Sequence, residues 1–349
     1  MMEGLVMKIF WKLILGLIGL ILVAIVGVFI AFKVSVKPGV YIIQRMFDQP
    51  IVITDEEDYE TASSKIHKLE DIEYTSQFDN NTLDIYYPNE VDEARPILFW
   101  MHGGGYVGGD KEGVEEFATY IAASNQIAVV AMNYEKAPSL QYPGQVHQLN
   151  EVYNYLHTHV DDFPMLDFHS VLFGGDSAGA QIAGQYVALQ TNDAYAEEMD
   201  IEQTVSKNTI RAFISFSGPI DLQQMINIQS DEPFLKFFTS TVARAFIGTK
   251  NWKESEKMKQ ASIKEYITTD FPPTYITDGN TFSFQDQGIA VEEKLKSFGI
   301  PVQSLFFKEI DKEIPHEYQF NYTLQEAKEN LQQTIDFIDE QLTGDPSDF

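Results

Sequence analysis

Residues 171–180 read VLFGGDSAGA. An apolar run halts at two glycines, and a serine follows in the spacing Gly-x-Ser-x-Gly, at Gly175, Ser177 and Gly179. A buried strand that reverses into a helix within three residues must strain the serine at the turn. Glycines two before and two after let strand and helix approach without side-chain clash. The product is an exposed hydroxyl at a helix N-terminus, a nucleophile elbow. Small-residue turns also produce this spacing by chance, so the reading depends on the other parts that a serine nucleophile needs.

Outward from this stretch, apolar runs alternate with helical patterns. Residues 82–87, 96–101 (PILFWM), 127–132 (IAVVAM), 212–216, 273–277 and 302–307 read as strands. Residues 114–123, 142–157, 177–189, 285–298 and 323–342 read as helices. Such alternation predicts an α/β fold with a mostly parallel sheet covered on both faces. Sites in such sheets lie at the C-terminal ends of the strands, where Ser177 falls. Residues 221–267 show no strand pattern. Their apolar cluster (Phe234, Leu235, Phe237, Phe238, Ala243, Phe246, Ile247) reads as a helical insertion, either a lid or ordinary core.

A serine nucleophile needs a base. Of seven histidines, His316 alone follows Ser177, in a polar loop just past the last strand. The order Ser…acid…His requires a histidine there. The tetrahedral intermediate needs donors, and His102-Gly103-Gly104-Gly105 can turn backbone N–H groups into the site. Gly104 and Gly105, with the amide of Ala178, would form an oxyanion hole. A phosphate loop would need a lysine and Ser or Thr after the glycines, where this chain has Tyr106 and Val107. His102 itself reads as a structural loop residue.

Together these residues resemble the hormone-sensitive-lipase-like family of α/β-hydrolase esterases, over roughly residues 80–342. The motifs are HGGG at 102–105, NYEKAP at 133–138, Tyr142-Pro143, GDSAG at 175–179, Pro272-Pro273 and Pro315-His316. The resemblance implies ester hydrolysis through a serine acyl-enzyme, without metal or cofactor, beneath cap segments drawn from before the sheet and from its middle. One departure matters. The family's aspartate position after the late strand holds Phe282. Asp278 is the first substitute, with Asp286 and Asp221 as alternatives. The segment before His316 is also longer than in the family, which would re-aim the imidazole. Glu135-Lys136 replaces the family's Arg-Leu, a local surface change. His157, His159 and Asp162 close a helix and read as solvated polar residues rather than metal ligands.

The N-terminus is a separate problem. Residues 13–32 are uncharged and apolar, and at about 1.5 Å per residue a helix over them spans roughly 30 Å, a bilayer's hydrocarbon core. Lys8, Trp11 and Lys12 flank one end, Lys33 and Lys37 the other. No convincing cleavage site follows, so an uncleaved single-pass anchor is expected. Lysine counts on its two sides are nearly equal and leave orientation open; an external face is preferred because esterases working on external substrates are often tethered this way. Residues 1–37 then form the anchor, 38–79 a stalk or cap with a polar helix over 63–73, and 80–349 the hydrolase domain. The absence of cysteine excludes disulfides, thiolate metal sites and a cysteine nucleophile. Formal charge is −28, with residues 1–32 contributing +1 and the rest −29. So acidic a surface repels nucleic acid and favours neutral or cationic substrates.

The expectation is a membrane-anchored serine carboxylesterase for short or medium acyl esters. Ser177, His316 and Asp278 form its triad, and Gly104, Gly105 and Ala178 its oxyanion hole. A deacetylase or amidase would use the same parts. The competing reading, prompted by Phe282, is a non-catalytic binding protein on the same scaffold.

Overall fold

A computed structural model of the chain describes residues 2–48, 50–90, 92–227, 232–308 and 310–343. The order is α1 (Met2–Val34), α2 (Lys37–Phe47), α3 (Glu56–Ser63), β1 (Ile66–Glu73), β2 (Thr82–Pro88), β3 (Arg95–Met101), α4 (Glu115–Asn125) and β4 (Ala128–Met132). It continues through α5 (Gly144–Thr158), β5 (Leu166–Asp176), α6 (Ala178–Thr191), α7 (Asp193–Met199), β6 (Ile210–Phe216), α8 (Leu222–Asn227), α9 (Pro233–Ile247) and α10 (Glu256–Gln260). It closes with β7 (Thr274–Asp278), α11 (Gln285–Ser297), β8 (Val302–Phe306) and α12 (Gln325–Thr343).

The eight strands form one sheet in the order β1-β2-β4-β3-β5-β6-β7-β8. β2 pairs antiparallel with both β1 and β4, and every other pairing is parallel. Alternation along each strand splits the core. Ile97, Phe99, Phe173 and Phe213 pack on one face with Val146 and Leu149 of α5 and Ile182 of α6. Leu98, Trp100, Leu172 and Ile214 pack on the other with Phe117 of α4 and Phe337 of α12. Side chains two apart share a face, so apolar runs such as PILFWM serve both layers at once. β5 sits mid-sheet between β3 and β6, which delivers Ser177 to the centre of the C-terminal edge.

Residues 66–73 depart from expectation: they form β1 rather than the end of a polar helix, so the sheet begins at Ile66 and not near residue 80. The sequence IHKLEDIE looks helical because an edge strand has one neighbour and buries little. A register shift between Leu69 and Ile72, with Asp71 at φ 52°, breaks its alternation further. The strand is held by charge as much as by apolar contact. The buried ammonium of Lys111 lies 2.8 Å from both Asp71 and Asp84, and the Asp71 amide donates to Asp84 at 2.9 Å.

α1 contains one stretch, Gly4–Val34, long and apolar enough to cross a membrane. α2 follows after only Ser35 and Val36 and packs through Gly39 against Thr241 and Phe237 of α9. Residues 221–267 carry α8, α9 and α10 and no strand among the described residues.

Candidate active site

Ser177 is the residue between β5 and α6, at φ 48° and ψ −119°. Non-glycine residues rarely adopt positive φ, and such strain persists only where the surroundings over-determine it. The constraint is visible here. The Ser177 amide donates to the carbonyl of Phe216 at 2.8 Å. A Cβ on Gly175 would fall 2.6 Å from the Met101 carbonyl oxygen, and one on Gly179 would fall 2.6 Å from that of His102. Both motif glycines are therefore required by close backbone approach.

His316 lies 139 residues on, yet its Nε2 is 3.0 Å from Ser177 Oγ. Backbone zipping between two loops brings it there. The amides of Asn280 and Thr281 donate to Ile314 O at 2.8 and 3.0 Å, and His316 N donates to Thr281 O at 3.0 Å. Glu317 N donates to Ser217 Oγ at 3.1 Å. Phe284 meets the imidazole edge-on, with centroids 5.3 Å apart.

Among the three candidate carboxylates, Asp278 is the one beside the imidazole, with Oδ1 at 3.5 Å from Nδ1. Its two oxygens also accept from the amides of Gly279 (2.8 Å) and Phe284 (2.6 Å), which fix the carboxylate at the end of β7. The 3.5 Å separation is long for a hydrogen bond, and Nδ1 has no other acceptor among the described residues. Such contacts commonly tighten when substrate binds. Asp221 pairs instead with Lys264 at 3.1 Å, and Asp286 is exposed on α11. Phe282, in the family's acid position, is 73% exposed at φ 52° and touches none of these groups. Burial acts to lower the His316 pKa. The close Asp278 carboxylate and the charges of Glu317 and Asp176 outweigh it, so the imidazole sits above its ordinary value.

The glycine loop follows β3. Gly104 and Gly105 take φ +112° and +58°, and the Gly104 carbonyl accepts from Val107 and Gly108 at 3.1 and 2.9 Å. The amides of Gly104, Gly105 and Ala178 have no acceptor among the described residues. The Gly103 amide is already engaged, donating to Asp176 Oδ2 at 2.6 Å. His102 is a loop residue, as expected: Nδ1 bonds the Gly103 carbonyl at 2.6 Å and the ring stacks on Tyr134 at 4.4 Å. Burial pushes its pKa down to about 4, so it is neutral.

Sequence reasoning passed over two residues that belong to this site. Asp176 precedes the nucleophile and Glu317 follows the base. Their oxygens crowd one point above Gly103, each within 2.6 Å of where its Cβ would stand. Asp176 also accepts from Trp100 Nε1 at 2.8 Å. Burial first, and the Glu317 carboxyl second, raise its pKa well above the carboxylate range. Beneath the glycine loop, Asp176, Glu317, His102 and Phe47 line a cavity of ≈ 730 Å³. Asp176 was visible within the quoted motif, and Glu317 only as the neighbour of His316.

An elbow serine on the central strand, a late imidazole and a glycine loop with open amides define the α/β-hydrolase fold of the hormone-sensitive-lipase-like type. The chain belongs to the BD-FAE family, whose model matches residues 83–294. It is 24% identical to an esterase of Gibberella moniliformis over 212 residues, 60% of this chain and 64% of that one. It is 23% identical to a putative alpha/beta hydrolase of Acanthamoeba polyphaga mimivirus, over 65% of this chain and 63% of that one. The chain thus spans a little under two thirds of the length of these curated relatives. An acetyl esterase of Salmonella schwarzengrund is 29% identical over 102 residues, 29% of this chain and 31% of that one. Among solved structures, an inhibited esterase B from Lactobacillus rhamnosis superposes with TM-score 0.67 at 17% identity, over 82% of this chain and 92% of that one. A Pyrobaculum calidifontis esterase gives 0.65 at 17%, over 89% and 94%. These likenesses establish the shared fold.

Proposed function

We propose that the chain is a membrane-anchored serine carboxylesterase for short or medium acyl esters. The observation that carries the reading is the 3.0 Å contact between His316 Nε2 and Ser177 Oγ beside three unengaged amides. Ser177 Oγ attacks the acyl carbon while Nε2 takes its proton. Oxyanion charge develops toward the amides of Gly104, Gly105 and Ala178, and the imidazolium returns its proton to the leaving alcohol. Water then attacks the acyl carbon as His316 removes its proton, the acyl–Oγ bond breaks, His316 returns the proton to Ser177, and the acid is released. Asp278 holds the ring and stabilises its charged form. The esterases among the relatives support ester over amide substrates, and the acetyl esterase supports a small acyl group. Phe238 and Val242 of α9, each 3.5 Å from where a Cβ on Gly105 would sit, supply apolar cover for the acyl group.

The reading includes α1 as a single-pass anchor, which its length and unbroken apolar character support, and an external face for the folded part. The test is hydrolysis of p-nitrophenyl acetate and butyrate by the purified chain and by Ser177→Ala. The variant is expected to lose activity by about 10⁶-fold. Equal rates for the two proteins would reject the assignment.

A further inference from the structure

Membrane-spanning α1 places α2 at the bilayer surface by chain connectivity. α1 ends at Val34 and α2 starts at Lys37. The link is not a slack tether: Ser35 N donates to Ala31 O at 2.9 Å, and Lys37 N donates to Ser35 Oγ at 3.1 Å. The outward face of α2 is apolar, with Tyr41, Ile42 and Met46 exposed by 58%, 47% and 47%, while Val40 and Ile43 turn inward. Ile51 and Val52, just beyond, are exposed by 47% and 70%. Charge on this strip is inverted relative to the chain. Residues 33–52 carry Lys33, Lys37 and Arg45 against one carboxylate, Asp48, which pairs with Arg45 at 3.7 Å, in a protein of net charge −28. An exposed apolar face edged by cations, one turn from a spanning helix, fits the headgroup–acyl boundary.

The inward face of the same helix holds the glycine loop. Gln44 Nε2 donates to Val107 O at 2.8 Å, and the Phe47 ring covers Gly108, leaving no room for a Cβ there. α2 also packs on α9, whose Phe238 and Val242 stand over Gly105. One helix thus presents an exposed apolar face on one side and holds the glycine loop on the other.

We infer that the outer face of α2, with Ile51 and Val52, rests in the headgroup–acyl boundary of the bilayer that α1 spans, and that the site takes esters which partition into that membrane. The inference rests on the proposed anchor and ester hydrolysis and adds where the substrate comes from.

Because the chain has no cysteine, single-cysteine variants of the full-length protein report position cleanly. An environment-sensitive nitrobenzoxadiazole label would be placed at Ile42→Cys and Met46→Cys. Val28→Cys in α1 and Gln332→Cys on α12 serve as buried and aqueous references. The proteins would be reconstituted in phosphatidylcholine–phosphatidylglycerol vesicles with doxyl-labelled lipid. Labels at 42 and 46 are expected to shift to the blue and be quenched from a shallow depth, with 28 quenched deeply and 332 unaffected. Labels at 42 and 46 behaving like 332 while 28 is quenched would overturn the docking and leave the anchor standing. Absence of quenching at 28 would overturn anchor and docking together. Reaction of Ser177 with a fluorophosphonate in the same vesicles reads the hydrolase assignment separately. In the double variant Ile42→Asp, Met46→Asp, the ratio of kcat/KM for vesicle-borne dioctanoylglycerol to that for soluble p-nitrophenyl acetate should fall about tenfold. An unchanged ratio would overturn the claim about substrate supply.

Discussion

The turn after β5 and the loop after β7 lie two strands apart at the same end of the sheet, and each brings one group to His316. The β5 turn is built from its own neighbours: Gly175, Ser177 and Gly179 meet each other and the carbonyls of Met101 and His102. The β7 loop is built from a distant partner. Asn280 and Thr281 pair with residues 314–316, and the acid stands at the strand's end rather than within the loop. A motif spaced over five residues survives as a motif because its constraints are local. On the proposed reading, a carboxylate held by two backbone amides at a strand terminus stands in for one several residues later, with the facing loop moved to match.

Removing the acid tests the distant half of this arrangement most severely. Asp278→Asn should lower kcat/KM by about 10⁴-fold, as loss of the orienting carboxylate does in serine triads. Asp286→Asn should stay within about twofold of wild type, in line with surface substitutions generally. The same variant changes the pH profile. With His316 as the proposed neutral base and its pKa raised, kcat/KM of the wild type should climb through an apparent pKa above the ordinary 6.5. Asp278→Asn removes a cause of that elevation, and its acidic limb should move to lower pH. An equal fall for Asp286→Asn, or an unmoved limb, would assign the acid elsewhere.

The local half is broken by adding one methyl group. Gly179→Ala should destabilise the fold by about 1–3 kcal/mol in denaturant titration, because the added Cβ meets the carbonyls of Met101 and His102. A smaller effect is expected where the halves touch. The Asp176 carboxyl is held well above the usual carboxylate range, so rising pH should ionise it against Glu317 beside the amide of Gly103 and depress kcat/KM. Glu317→Gln keeps the size and removes the charge, and its alkaline limb should flatten. The smallest effect belongs to Phe282. It holds φ 52° while 73% exposed, so Phe282→Gly should raise stability by about 1 kcal/mol with kcat/KM unchanged.

The same contrast explains what could be read from the chain. The inner strands and the elbow were legible because parallel strands buried on both faces are written as apolar runs, and tight turns are written in glycine. β1 was not, since Lys68, Glu70 and Asp71 on an exposed edge carry no alternation a reader could follow. The meeting of Asp176 with Glu317 joins residues far apart in sequence that happen to flank the nucleophile and the base. Nothing in either segment alone announces it. The nearness of Asp278 to His316 was open among three carboxylates, because it depends on how residues 312–316 fold back on Asn280.

The most direct test of the central claim is reaction of the full chain with a fluorophosphonate, with the modified peptide identified by mass spectrometry in wild type and in His316→Ala. A single adduct on Ser177, formed at least about 10³-fold more slowly without the imidazole, is the predicted result. An adduct on another residue, or labelling of Ser177 at a rate indifferent to His316, would contradict it.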